Sequence, residues 1–162
     1  MTKIEFREDL LAPDRELRIE YVGKNAVWIL GNAMKLLQNT LKVSAVNLRE
    51  DKIYWDITGD PPTFYGEWRG LRTEDQWTKT LIRIRAQGSH GKDSGKVKVW
   101  IRGFLFIKYE YNNPFEKMLW YIFKRNFYHK QLRAYLENSK GDLLSIKDQI
   151  KKAYGIFHEE YA

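Results

Sequence analysis

Two polar residues in an otherwise apolar helical stretch are the first candidates for chemistry. Asn126 and His129 lie in a segment where Phe115, Met118, Leu119, Ile122 and Leu136 recur at helical steps. That spacing puts all of them on one side of a helix, and a buried side obliges both polar groups to find hydrogen-bond partners. They either bond to the rest of the fold or orient the polar head of a ligand in an apolar cavity, as small-molecule sites do. The residues expected to line such a cavity are Trp55, Met118, Ile122, Asn126 and His129. A second grouping is basic: Lys79, Arg83, Arg85, Lys98 and Arg102 share the side of their strands opposite an aliphatic row, with Trp77 and Trp100 among them. Basic side chains interleaved with rings hold single-stranded nucleic acid by neutralising phosphates and stacking bases. The same residues also make an ordinary solvated face, with rings packed between lysine stems. No RNP-type sequence accompanies them.

Other chemistries find no support. With no cysteine, disulfides, thiolate nucleophiles and cysteine-ligated metals are excluded. His90, His129 and His158 have no metal-ligand spacing on a helix, so no metal site is expected. A nucleophile elbow of the Gly-x-Ser-x-Gly type is absent. Gly91-Lys92-Asp93-Ser94 is not a phosphate-binding loop, because Ala86 stands where the earlier Gly is needed and Asp follows the Lys. No catalytic residue and no cofactor is therefore expected.

Composition sets the frame. The chain has 162 residues, 43% hydrophobic and 30% charged, enough for one domain with a core and a soluble surface. Lys and Arg number 28 against 21 Asp and Glu, a net charge of +7 that favours anionic partners without identifying one. The N-terminal stretch is too charged for a signal peptide. The longest apolar runs are six residues, such as Met118 to Phe123. Spanning a bilayer takes roughly 20. A cytoplasmic protein is expected.

The elements that must position these residues follow from periodicity. Leu17, Ile19 and Tyr21 alternate with charged residues and predict a strand. Val27, Leu30, Met34, Leu37 and Leu41 predict a helix, with Asn25 as its N-cap. From about Val43 to Tyr111 the period is two, predicting about five strands in an antiparallel meander. Asn113-Pro114-Phe115-Glu116 is a helix start: cap, Pro at the first position and Glu three residues after the cap. The long helix is expected to end near Ser139 to Gly141, with Asp142 capping a last helix that stops at Gly155. A charge at Ile122, mid-stripe, is expected to unfold the chain, and one at Lys98 is not.

The reading is therefore α+β: a curved antiparallel sheet of about six strands wrapped on a long C-terminal helix. One domain covers residues 1–162, with an N-terminal segment 1–13, a core 14–138 and an additional helix 142–155. From Leu17 to Leu136 this order of elements resembles the helix-grip fold of the START and polyketide-cyclase-like (SRPBCC-type) superfamily. The resemblance implies a cavity between sheet and helix that holds an apolar ligand, and does not imply an enzyme. The leading expectation is a non-catalytic module that binds an apolar or amphipathic small molecule. The alternatives are a nucleic-acid or anion-binding module using the basic face, and a protein-interaction subunit without ligand. Met118 to Phe123 is apolar all round, so the first helix, the second subunit of a homodimer or a membrane surface must cover its back.

Overall fold

The computed structural model describes residues 2–12, 15–91 and 94–156. Six strands form one antiparallel sheet: β1 (Thr2–Asp9), β2 (Leu17–Gly23), β3 (Leu48–Asp56), β4 (Thr63–Thr73), β5 (Thr78–His90) and β6 (Gly95–Tyr111). The order is β1-β6-β5-β4-β3. β6 is 17 residues long, and two strands share its free edge: β2 along Gly95–Ile101 and β1 along Phe104–Tyr111. β1 occupies the segment expected to lie outside the core. Its signal is present in the sequence, since Ile4 and Phe6 alternate with Lys3, Glu5 and Arg7. The expected run of about five strands contains four, so the total of six holds by a different count.

α1 (Trp28–Leu41) lies on the sheet, where Ile29, Ala33, Leu36, Leu37 and Leu41 are buried. Asn25 does not cap it. Asn25 takes a left-handed conformation (φ 60°), which Asn tolerates, in the turn before the helix. The first turn is held instead by the Tyr154 hydroxyl, which accepts from Ile29 N (3.3 Å) and donates to Ala26 O (2.8 Å).

A helix of 41 residues ends the described chain. It comprises α2 (Pro114–Phe123), a π turn (Lys124–Tyr128) and α3 (His129–Tyr154). Its start is as expected: Asn113 Oδ1 accepts from Glu116 N at 2.8 Å, and Glu116 Oε2 accepts from Asn112 N at 2.8 Å. It stops at Gly155, in the left-handed conformation (φ 75°). The break expected at Ser139 to Gly141 does not occur, and Asp142 caps nothing. Asp142 pairs with Arg72 at 2.7 Å, and Leu143, Ile146 and Ile150 are fully buried. That burial offsets the roughly 1 kcal/mol a helical Gly costs.

The core has two parts. The larger packs α1 and the end of α3 on Ile82, Ile84, Val99, Ile101 and Leu105 of the sheet. The smaller gathers Ile4, Ile107, Trp120, Tyr128 and Leu132. Buried Thr78, Thr80 and Ser139 supply polar groups to the helix–sheet contact. Thr80 and Ser139 share a 2.8 Å hydrogen bond, and Arg72 joins Glu74 and Asp142 at 2.7 Å each.

The face that α2 buries is not the expected one. Trp120 points inward, stacking on Tyr109 (5.0 Å) and Phe6 (6.0 Å). Phe115, Met118, Leu119 and Ile122 do form a stripe, but it points outward. The π turn accounts for this. In an uninterrupted α-helix, Leu132 lies roughly 120° around the axis from Trp120, at about 100° per residue. One extra residue in the turn takes back about 100° and aligns both with the sheet.

Ile146→Asp should therefore unfold the chain, because an unpaired buried charge costs several kcal/mol, on the order of a domain's whole stability. Ile122→Asp should shift the melting temperature by no more than about 2 °C, as surface changes do. Thermal melts of the two variants that coincide would show that α2 presents the other face.

Candidate functional site

The five residues expected to line a cavity are all exposed: Trp55, Met118, Ile122, Asn126 and His129. Trp55 belongs to edge strand β3, where it packs on Phe64 with ring centroids 5.8 Å apart. The other four belong to the helix, on α2, the π turn and the first residue of α3. The space between helices and sheet is occupied by side chains such as Ile29, Leu37, Ile82, Leu105 and Ile146, each 0% exposed. The polar groups that do meet the sheet from the long helix include Tyr128, Ser139 and Asp142. Their signal was masked because the π turn changes which positions share a side.

The basic residues come together better. Lys79, Arg83, Arg85, Lys98, Trp100 and Arg102 all project from the sheet face opposite the helices, where the register pairs Arg83 with Arg102, Arg85 with Trp100, and Gln87 with Lys98. Trp77 does not join them. It sits in the turn before β5, held by a bond from its N–H to Asp75 (2.8 Å), and packs edge-on against Phe123 and Tyr128. Strand parity does not extend into that turn.

Two further arginines complete the face. Arg49 of β3 lies opposite Arg69 of β4, Arg69 opposite Arg83, and Arg83 opposite Arg102. Four guanidinium groups thus form one rung across four strands. Parity along β3 predicts that Arg49 shares the side of Ile53 and Trp55. A register shift between Glu50 and Lys52 reverses it. Glu50 consequently points to the core side, where it accepts from Trp68 Nε1 at 3.0 Å.

Like charges directly opposite destabilise a sheet by about 0.2–1 kcal/mol per pair. The rung is only partly compensated. Asp51, in the irregular segment of β3, reaches Arg69 at 3.3 Å and Arg49 at 3.8 Å, and Asp9 reaches Arg102 at 3.5 Å. Among the described residues no carboxylate pairs with Arg83, at the middle. Arg102 lies over the Phe104 ring (4.5 Å), with its Nε buried and without a hydrogen-bond partner among the described residues.

Beside the rung, Arg85 stacks over Trp100 (4.6 Å) and reaches Glu16 at 3.6 Å. A depression of about 110 Å³ lies between Arg83, Arg85, Arg102, Trp100, Asp51 and Glu67. Burial, then the hydrogen bond donated to Glu67, push the Tyr65 hydroxyl up to about 12, so it stays protonated and donating at neutral pH. Tyr54, opposite Tyr65, exposes its ring on the same face. This arrangement can bind and orient anions. Among the described residues no group of three or more His, Asp or Glu could hold a metal, and no helix is long and apolar enough to cross a membrane.

Removing the central charge tests the rung directly. Arg83→Thr should raise the melting temperature by about 1–3 °C at low salt, from the pairwise cost of like charges. The gain should shrink as salt screens the rung. A variant that melts at or below the parent temperature in low-salt thermal denaturation would mean that the arginines do not repel.

The sequence matches no family model and no curated protein. Among solved structures, an uncharacterized protein from Rhizobium leguminosarum aligns at 9% identity over 90% of this chain and 99% of its own, with a TM-score of 0.20, too low to carry an argument about either chain.

Proposed function

We propose that this protein is a non-catalytic module that binds the phosphate backbone of single-stranded RNA on the outer face of its sheet. The observation that carries the reading is the Arg49–Arg69–Arg83–Arg102 rung. A protein that keeps four like charges in register gives up stability, and an anionic ligand returns it. Three strand spacings of about 4.8 Å make the rung roughly 14 Å long. A length of that order spans more than one phosphate of an extended strand. Lys79 and Lys98 extend the positive surface above and below it. The exposed Tyr54 ring offers a base a surface to stack on.

The architecture, a sheet packed against a long C-terminal helix, supports our placing the chain with the helix-grip superfamily. The apolar-ligand function that goes with that resemblance draws no support from the exposed positions of Trp55, Met118, Ile122, Asn126 and His129.

Fluorescence anisotropy with a labelled single-stranded RNA of mixed sequence tests the reading. Affinity should fall steeply as salt rises, because each neutralised phosphate releases counterion. Arg69→Ser with Arg83→Ser should reduce the slope of log affinity against log salt by about 1.4, two contacts at about 0.7 each for a single strand. No binding at low salt, or an unchanged slope in the double variant, would sink the proposal.

A further inference from the structure

A second surface, on the opposite side of the molecule, has no role in holding a strand of RNA. On α2 and the π turn the side chains of Phe115, Met118, Leu119, Ile122, Phe123 and Phe127 are exposed, Ile122 by 46% and Phe127 by 74%. A helix packed on a sheet and facing water carries polar residues on its outer side. This one turns Trp120 and Tyr128 toward the sheet and its aliphatic and phenyl stripe outward. Contiguous apolar surface of this kind marks an interaction site.

The charges around the stripe say what covers it. Lys117, Lys124, Arg125 and Lys130 lie on the same segment, whose one acid, Glu116, is committed to the helix cap. Lys124 Nζ sits 3.7 Å from the Phe6 ring centroid and Lys117 Nζ 5.6 Å from that of Tyr111, so both ammonium groups stay close to the ring-rich base of the helix. Pairing this face with itself in a second copy would set these cations against one another. An anionic surface neutralises them while its apolar layer receives the stripe. Phenyl and aliphatic side chains above a basic flank are the composition of helices that lie in the plane of a bilayer interface.

We propose that α2 and the π turn form a peripheral membrane anchor, which lies flat on an anionic bilayer with Phe115, Met118, Ile122 and Phe127 inserted among the acyl chains and the flanking cations at the headgroups. The site rests on observations independent of the arginine rung.

Cosedimentation with vesicles tests it, using phosphatidylcholine alone and an equimolar mixture with phosphatidylglycerol. The protein should sediment with the mixture and remain in solution with phosphatidylcholine. Ile122→Ser with Phe127→Ser should weaken that binding on the order of tenfold or more, from lost apolar burial. The melting temperature and RNA affinity of this variant should stay at the parent values. Arg69→Ser with Arg83→Ser should leave vesicle binding intact. The proposal is overturned by failure to sediment with the anionic vesicles, by a stripe variant that binds them as the parent does, or by loss of binding in the arginine variant, which would place the lipid contact on the sheet. Sedimentation velocity showing a dimer that the stripe variant abolishes would give the face to a second copy and overturn it equally.

Discussion

The Tyr128 hydroxyl donates to the Asp75 carboxylate and shares a 2.7 Å hydrogen bond with Thr78, and the rotation of the whole C-terminal helix depends on this anchor. Asp75 is itself fixed, because its other oxygen accepts from Trp77 N and Thr78 N. The Tyr128 ring stacks on Phe123 and meets Trp77 edge-on, so the side chain is held at both ends. Burial, reinforced by Asp75, pushes the hydroxyl well above the usual tyrosine range, which keeps the donor in place. Tyr128 is the last residue of the π turn, and the turn's extra residue is what lets Trp120 and Leu132 face the sheet together. With Trp120 turned in, the stripe from Phe115 to Ile122 has nowhere to go but outward.

The same constraint shapes the rest of the interior. Once α2 and α3 are fixed in rotation, Ser139 meets Thr80, Asp142 meets Arg72, and Leu143 and Ile146 fill the space over Gly103 and its neighbours. A Cβ at Gly103 would lie 2.6 Å from the Leu143 Cδ1 methyl and 2.5 Å from that of Leu10, so any larger residue there displaces both leucine methyls. The half-buried Arg72 cluster contributes register more than energy, since an ion pair repays little beyond its desolvation.

What the sequence discloses depends on whether its periodicity is interrupted. The strict alternation of Thr80 to Ala86 and of Val97 to Ile107 survives intact into β5 and β6, which is why six of the seven basic-face residues come together. Asn113 and Gly155 act as local stop and start signals, and both operate as their chemistry dictates. Two of the failures share one cause: a single inserted residue. The register shift next to Asp51 reverses Arg49, and the π turn reverses the side presented by Ile122. Neither leaves a mark in residue types, because both are resolved by tertiary contacts: Glu50 to Trp68 in one case, Tyr128 to Asp75 in the other. The run through Gly141 is a third instance of packing overriding local preference, and Asn25, with a positive φ, shows a capping residue used as a turn residue instead.

The two surfaces left over are also physically separate. The rung projects from the face of the sheet opposite the helices, and the stripe projects from the far side of a helix packed on the other face. At least one helix diameter, about 10–12 Å, lies between them. That distance exceeds the screening length of about 8 Å at physiological salt. The field of the four arginines therefore adds little at the cations around α2, and an anion bound on one face does not neutralise the other. The stabilising terms differ in kind as well. A strand bound as proposed at the rung would be held through counterion release, which weakens as salt rises. The stripe acts mainly through apolar burial, which does not. On the two proposals, occupying one face would leave the other free, so that a strand on the sheet and a bilayer beneath α2 would not compete.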